Sequence, residues 1–176
     1  MKKMLCVFLS LALVLLLIGC GANRRSDSPK RVNDSEAPAT EAGNQQTVFN
    51  VGDTVSLSNV EVTFVSCEES RGSDFFKPSD GNVFLVCEFE IDNKSQSDIT
   101  VSSMLSFETY VDDYSTSLSV SATVSTDRQQ LDGSVAAGKK MSGAIGYEVP
   151  DDWKELEIRF TPDFWSGEEI TFVATH

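Results

Sequence analysis

The sequence predicts an all-β fold for residues 47–176, an immunoglobulin-like antiparallel sandwich, on three observations. From Thr47 onward apolar residues recur with a period of two, the spacing that turns one face of a strand toward a core. Turn-forming clusters interrupt these runs at short intervals, as sandwich loops do. Outside the N-terminal leader no window sustains the 3.6-residue period of an amphipathic helix.

Residues 1–19 precede this domain and read as a signal peptide. Lys2 and Lys3 form a positive start, and Met4 to Ile18 is apolar apart from Ser10. Fifteen helical residues span about 22 Å, short of the roughly 30 Å hydrocarbon core of a bilayer. The run closes on Leu17-Ile18-Gly19-Cys20, which resembles the lipobox of bacterial lipoproteins. The resemblance implies diacylglycerol on Cys20 Sγ, cleavage between Gly19 and Cys20, and a lipid-anchored protein on the extracytoplasmic face of the cell membrane. The alternative is an uncleaved signal anchor from Met4 to about Ala22. Residues 20–46, with Pro29, Pro38 and many small polar residues, show no periodicity and read as a lipidated N-terminus and disordered linker. Arg24, Arg25, Lys30 and Arg31 either meet anionic headgroups or are solvated.

Seven to nine short strands are expected after the linker. Val60, Val62 and Phe64 alternate with Glu61, Thr63 and Val65, and Val83, Leu85, Cys87, Phe89 and Ile91 make the longest inward row. Phe107, Thr109 and Val111 form a third row, and Leu118, Val120, Ala122 and Val124 a fourth. Ile145, Tyr147 and Val149, then Leu156, Ile158 and Phe160, then Ile170, Phe172 and Ala174 complete the set. Between them lie Val51-Gly52-Asp53, Pro78 to Asn82, Asp92-Asn93, Asp112-Asp113, Asp132-Gly133, Ala137-Gly138-Lys139 and Pro150-Asp151-Asp152, all turn chemistry. The Cys…Trp…Cys pattern of antibody domains is missing.

The order of several of these segments is familiar. Val51-Gly52-Asp53-Thr54-Val55, Val60-Glu61-Val62-Thr63, the strand Val83 to Ile91 with Asp92-Asn93-Lys94-Ser95, and Ala137 to Gly143 leading into Gly146 to Pro150 together resemble the domain of unknown function 4352 family of bacterial lipoproteins. The resemblance runs from about Thr47 to Thr175. It implies an extracytoplasmic sandwich, often lipid-anchored, with no established activity and no catalytic residues to carry over.

Composition narrows the function classes. The chain has 176 residues, 14 Lys and Arg against 27 Asp and Glu, and a formal net charge of −13. Such a balance opposes nucleic-acid binding, which needs a basic face. The single histidine, His176, sits at the end, where fraying is expected, and a histidine-based catalytic set or multi-histidine zinc site is not expected. No cofactor is expected either.

Cys67 and Cys87 are candidates for a disulfide, because an extracytoplasmic domain meets an oxidising exterior. Strict alternation turns Cys87 inward and Cys67 onto the face of Val65, so the pair requires a bulge near Ser66; otherwise Cys87 is a core residue and Cys67 free. The acidic doublets Glu68-Glu69, Asp112-Asp113, Asp151-Asp152 and Glu168-Glu169 read as solvated loops, with calcium binding or paired-carboxylate glycoside hydrolysis as the sharper alternatives. Phe75 and Phe76 interrupt the polar loop Glu68 to Pro78. They either cover one end of the core or stand exposed as partner anchors, and Trp153 and Trp165 face the same two readings. The resulting expectation is a lipid-anchored, non-catalytic binding module for an envelope protein or glycan. A carboxylate-based envelope glycan hydrolase and a structural spacer are the alternatives.

Overall fold

The computed structural model describes residues 28–32, 47–162 and 168–176. Two five-stranded sheets carry the fold. The first is ordered β1 (Lys30–Arg31), β3 (Thr54–Leu57), β4 (Val60–Ser70), β5 (Asn82–Asn93) and β10 (Lys140–Pro150). The second runs β2 (Val48–Asn50), β12 (Ile170–Thr175), β11 (Glu155–Phe160), β7 (Phe107–Val111) and β8 (Tyr114–Thr116). β6 (Ile99–Val101) and β9 (Gly133–Val135) form a separate pair. Pairing is antiparallel except for β2 alongside β12.

Period-two burial creates this arrangement, and aromatic rings fill the interior. Phe64 of β4 stacks on Phe89 of β5 at 4.7 Å between centroids, and Phe172 of β12 meets both edge-on at 5.7 and 5.9 Å. Phe89 also contacts Phe107 of β7, which packs on Phe160 of β11. These contacts cross from one sheet to the other, so the two inner faces share one core. Each such ring contributes on the order of 2–3 kcal/mol through burial.

Tight turns join the strands where the sequence supplies residues tolerant of positive φ. Asp112 and Asp113 lie at φ 48° and 69° between β7 and β8. Ser58 and Asn59, at φ 50° and 66°, do the same between β3 and β4, a turn the sequence reading does not mark. Both connections are two-residue hairpin turns.

Three expectations are corrected. The row Leu118 to Val124 is not a strand: Val120–Val124 forms a short helix, α1, after Leu118 makes a single bridge to Tyr147. Ser119 caps it, its side chain accepting from the Ala122 amide at 3.2 Å. Gly146 of β10 is the reason this helix can lie so close, since a Cβ there would sit 2.5 Å from the Thr123 amide nitrogen. Strand β5 is buried on both faces rather than one, Phe84 and Val86 being covered on the side away from the core. Finally, the linker is not featureless at residues 28–32: β1 pairs with β3, Lys30 opposite Ser56 and Arg31 opposite Val55. Arg31 reaches Asp53 at 2.8 Å and lies over the Phe49 ring, so it is engaged by the domain.

Cys20, Trp165, Arg24 and Arg25 lie outside the described residues. No helix among the described residues is long and apolar enough to cross a membrane.

Candidate functional site

The loop between β4 and β5 leaves the sandwich at the end that also holds the β10–β11 turn, the β7–β8 turn and His176. Its tip is built by local hydrogen bonds. The Ser73 amide donates to the Phe76 carbonyl at 2.7 Å, the Phe76 amide to Ser73 Oγ at 3.2 Å, and the Gly72 amide to Ser70 Oγ at 3.0 Å. Gly72 has φ 80°, and a Cβ on it would lie 2.0 Å from the Phe76 carbonyl oxygen, so only glycine fits. The base of the loop is fixed by Glu148 of β10, whose carboxylate accepts from the Ser79 amide at 2.8 Å and Asn82 Nδ2 at 3.0 Å. The Ser79 amide is the main reason the Glu148 carboxyl lies below the ordinary glutamate range, with the Asn82 side chain next.

On this frame Phe75 is 91% exposed and Phe76 41%. Neither ring covers the core, so the covering role that sequence reasoning allowed does not apply. Trp153 is the opposite case, with 3% exposure. Its indole N–H donates to Glu69 Oε1 at 2.7 Å, and its ring packs in the core. Partner anchoring by Trp153 is therefore withdrawn: the residue plugs the end of the sandwich. His176, although terminal, contacts the fold. Its amide donates to the Lys154 carbonyl, its ring stacks on Trp153 at 5.2 Å, and Nε2 lies 3.4 Å from Glu69 Oε1.

Beside this plug is a cleft of about 370 Å³ lined by residues that include Cys67, Glu69, Trp153 and His176. The strand register explains how Cys67 arrives there. Phe64 pairs with Phe89, but Ser66 pairs with Glu88, so Val65 is an extra residue in β4 and the alternation resets after it. Cys67 then stands directly opposite Cys87. Their sulfurs are 3.6 Å apart and not bonded. Burial, and then the Cys67 sulfur beside it, pushes the Cys87 thiol above its usual value.

A second cleft, of about 660 Å³, opens between β7, β8 and the start of α1. Met104 and Val120 stand at it, 71% and 61% exposed, and its floor includes Tyr147, whose hydroxyl accepts from Thr109 Oγ1 at 2.9 Å. Sequence reasoning did not find this cleft, because its walls come from three separated segments and depend on α1 being helical. A smaller depression of about 170 Å³ gathers Asp112, Asp113, Glu155 and Glu157 around Arg159. Asp112 there accepts from the Lys154 and Glu155 amides, and Glu157 pairs with Arg159 at 2.6 Å. Among the described residues no three His, Cys, Asp or Glu side chains are placed to hold a metal ion.

A family model described as Domain of unknown function (DUF4352) matches residues 49–170. No curated protein matches the chain. Among solved structures, the ycdA protein of Bacillus subtilis, whose description as a lipoprotein is provisional, aligns with a TM-score of 0.59 at 20% identity over 69% of this chain. This chain spans only 38% of the length of that protein. The yjhA protein of Bacillus subtilis aligns with a TM-score of 0.55 at 16% identity, over 70% of this chain and 97% of its own. A conserved hypothetical protein of Bacillus anthracis gives a TM-score of 0.50 at 20% identity, over 62% and 87%. At these identities the likeness is one of fold.

Proposed function

The chain belongs to the DUF4352 family, and from that premise we propose that it is a lipid-anchored, non-catalytic binding module of the cell surface that engages an envelope partner through the loop carrying Phe75 and Phe76. The observation that carries the reading is the exposure of Phe75 on a loop whose tip is closed by hydrogen bonds among Ser70, Gly72, Ser73 and Phe76 and whose base is tied to Glu148. A fixed loop presents two rings without having to order itself on binding, which lowers the entropic cost of association. Large exposed aromatics have no role in the core and are the residue type that anchors interfaces.

The strand order supports the same end of the molecule. Lys30 pairs with Ser56 and the Val32 amide donates to the Thr54 carbonyl, so the chain before Lys30 arrives at the end holding Ser58, Asn59 and Lys94. The Phe75 loop is at the opposite end, one length of β5 away, roughly 40 Å for its 12 residues. From Cys20 to Lys30 an extended chain reaches at most about 36 Å. In a domain anchored at Cys20 the tether joins the Ser58 end, and Phe75 stands at the end farthest from the attachment. The charge of residues 47–176, 8 basic against 23 acidic, favours a neutral or cationic partner and opposes nucleic acid.

A photo-crosslinking residue in place of Asp74, in the anchored protein, tests the reading. It is expected to capture an envelope protein, and Phe75→Ser with Phe76→Ser is expected to abolish capture at unchanged Tm. Undiminished capture by the double variant overturns the proposal.

A further inference from the structure

We propose that Cys67 and Cys87 are a thiol pair built for oxidation, which a disulfide-bearing oxidant converts into an intramolecular cross-strand disulfide, with Cys67 as the thiol that reacts first. The inference stands apart from the binding reading above and rests on three observations.

First, the pair is in register. Directly opposed residues of antiparallel strands place their Cβ atoms about 4.5–5.5 Å apart, at the upper edge of the roughly 3.5–4.5 Å that a disulfide spans. The Val65 bulge produces this opposition, since without it Cys67 would be on the other face from Cys87. Second, the sulfurs already approach to 3.6 Å, about 1.5 Å short of the bonding distance of about 2.05 Å. Third, access is unequal. Cys67 is half-buried and lines the 370 Å³ cleft with Glu69 and His176, whereas Cys87 is fully buried in the core. A dithiol with one reachable and one sheltered sulfur reacts in a fixed order.

The chemistry balances as two thiol–disulfide exchanges. Cys67 releases its proton to solvent in the cleft and its thiolate attacks one sulfur of the oxidant. The oxidant's S–S bond breaks, and the departing sulfur leaves as a thiolate and is protonated. Cys87 Sγ then attacks Cys67 Sγ, its proton passing to the remaining oxidant sulfur, which is expelled as a second thiol. The cysteines lose two electrons and two protons, and the oxidant's disulfide becomes two thiols. The segment closed by the new bond contains the whole Phe75 loop, so oxidation would staple the two strands that hold it.

The test uses the reduced full-length chain in detergent, equilibrated with oxidised and reduced glutathione at graded ratios, acid-quenched, alkylated in denaturant and analysed by peptide mass. Cys67 and Cys87 are expected to become unalkylatable together, in a monomer with no glutathione attached to either. The oxidised form is expected to melt about 10 °C higher. Cys87→Ser is expected to accumulate glutathione on Cys67, while Cys67→Ser leaves Cys87 unmodified in the folded protein. A stable glutathione adduct on wild-type Cys67, a chain-to-chain disulfide, or two thiols that stay alkylatable at every ratio would each overturn the proposal. Equal reactivity of Cys87 in the Cys67→Ser variant would overturn the order of attack. Because the wild-type peptide masses decide the main question, a poorly folding variant does not blunt the test.

Discussion

Thr109 and Tyr147 are both buried, and the Thr109 hydroxyl spends its proton on the Tyr147 oxygen. Tyr147→Phe removes that acceptor and leaves a buried donor unpaired, at about 1–2 kcal/mol by urea unfolding, whereas Thr109→Val in the same background should restore part of it. Two carboxyls add acid sensitivity to the fold. Asp92 is held below the ordinary range by its hydrogen bond to Lys94, with Lys140 adding to it, and Glu148 by the Ser79 amide and Asn82. In the unfolded chain both titrate near pH 4. Their stabilisation is therefore complete above that pH and is lost as pH falls through the lower folded values, where the unfolded chain binds protons first. The urea midpoint should fall steeply below about pH 4, and less steeply in Glu148→Gln; an identical acid limb in that variant would show that Glu148 is not a contributor. Single residues were the least legible scale in the sequence. Trp153 and Phe75 both stand among acids and turn residues, and only the three-dimensional position of Glu69 and His176 distinguishes the plug from the exposed ring.

Elements were more legible than residues wherever a period of two coincided with burial on one face. The rows of β4 before its bulge, β7, β10, β11 and β12 follow the alternation directly, each apolar inward residue lying in the core, and the inward row of β5 does so although its other face is also covered near Phe84 and Val86. Alternation failed at Leu118 to Val124, where Val-Ser-Ala-Thr-Val satisfies strand propensity but Ser119 supplies a helix cap and Gly146 an open place for the helix backbone. The strands β6, β8 and β9 are three residues each, too short to show a period. This account of α1 predicts two unequal effects. Ser119→Ala should lower stability by about 1 kcal/mol, the worth of a cap. Gly146→Ala should cost more, about 2–3 kcal/mol, because the clashing atoms are the Thr123 nitrogen, the Ala122 carbonyl carbon and the Ala122 Cβ, none at the end of a flexible side chain. Denaturant midpoints of the two variants check this, and an equal loss would mean that α1 is not packed against Gly146. The linker strand β1 escaped sequence reasoning for a related reason. Two residues carry no pattern, and what fixes them is the Arg31–Asp53 pair and the edge of β3.

At the scale of the whole molecule, β1 does more than extend a sheet: it sets the end of the sandwich from which the chain before Lys30 emerges. A linker joined only at Thr47 would leave the domain free to turn over, with 26 residues between Cys20 and the fold. Pairing at Lys30 leaves nine residues between Cys20 and the sheet and fixes the end at which the chain emerges. With Cys20 acylated, the end bearing Ser58 and Lys94 lies toward the bilayer and the end bearing Phe75 points away. Two measurements on the anchored protein separate these claims. Cys20→Ala should leave the protein unprocessed or release it from membranes, and retention of a processed form would refute lipidation. In wild-type vesicles, energy transfer to a headgroup acceptor should be stronger from a probe at Ser95 than from one at Asp74. Arg31→Asp, which sets two negative charges against each other at Asp53, should reduce that difference while leaving the Tm of the sandwich nearly unchanged. The strand is only two residues long and adds little to global stability, so its loss should register in orientation and not in melting. Equal transfer from both probes in the wild-type protein would mean that β1 does not set the orientation.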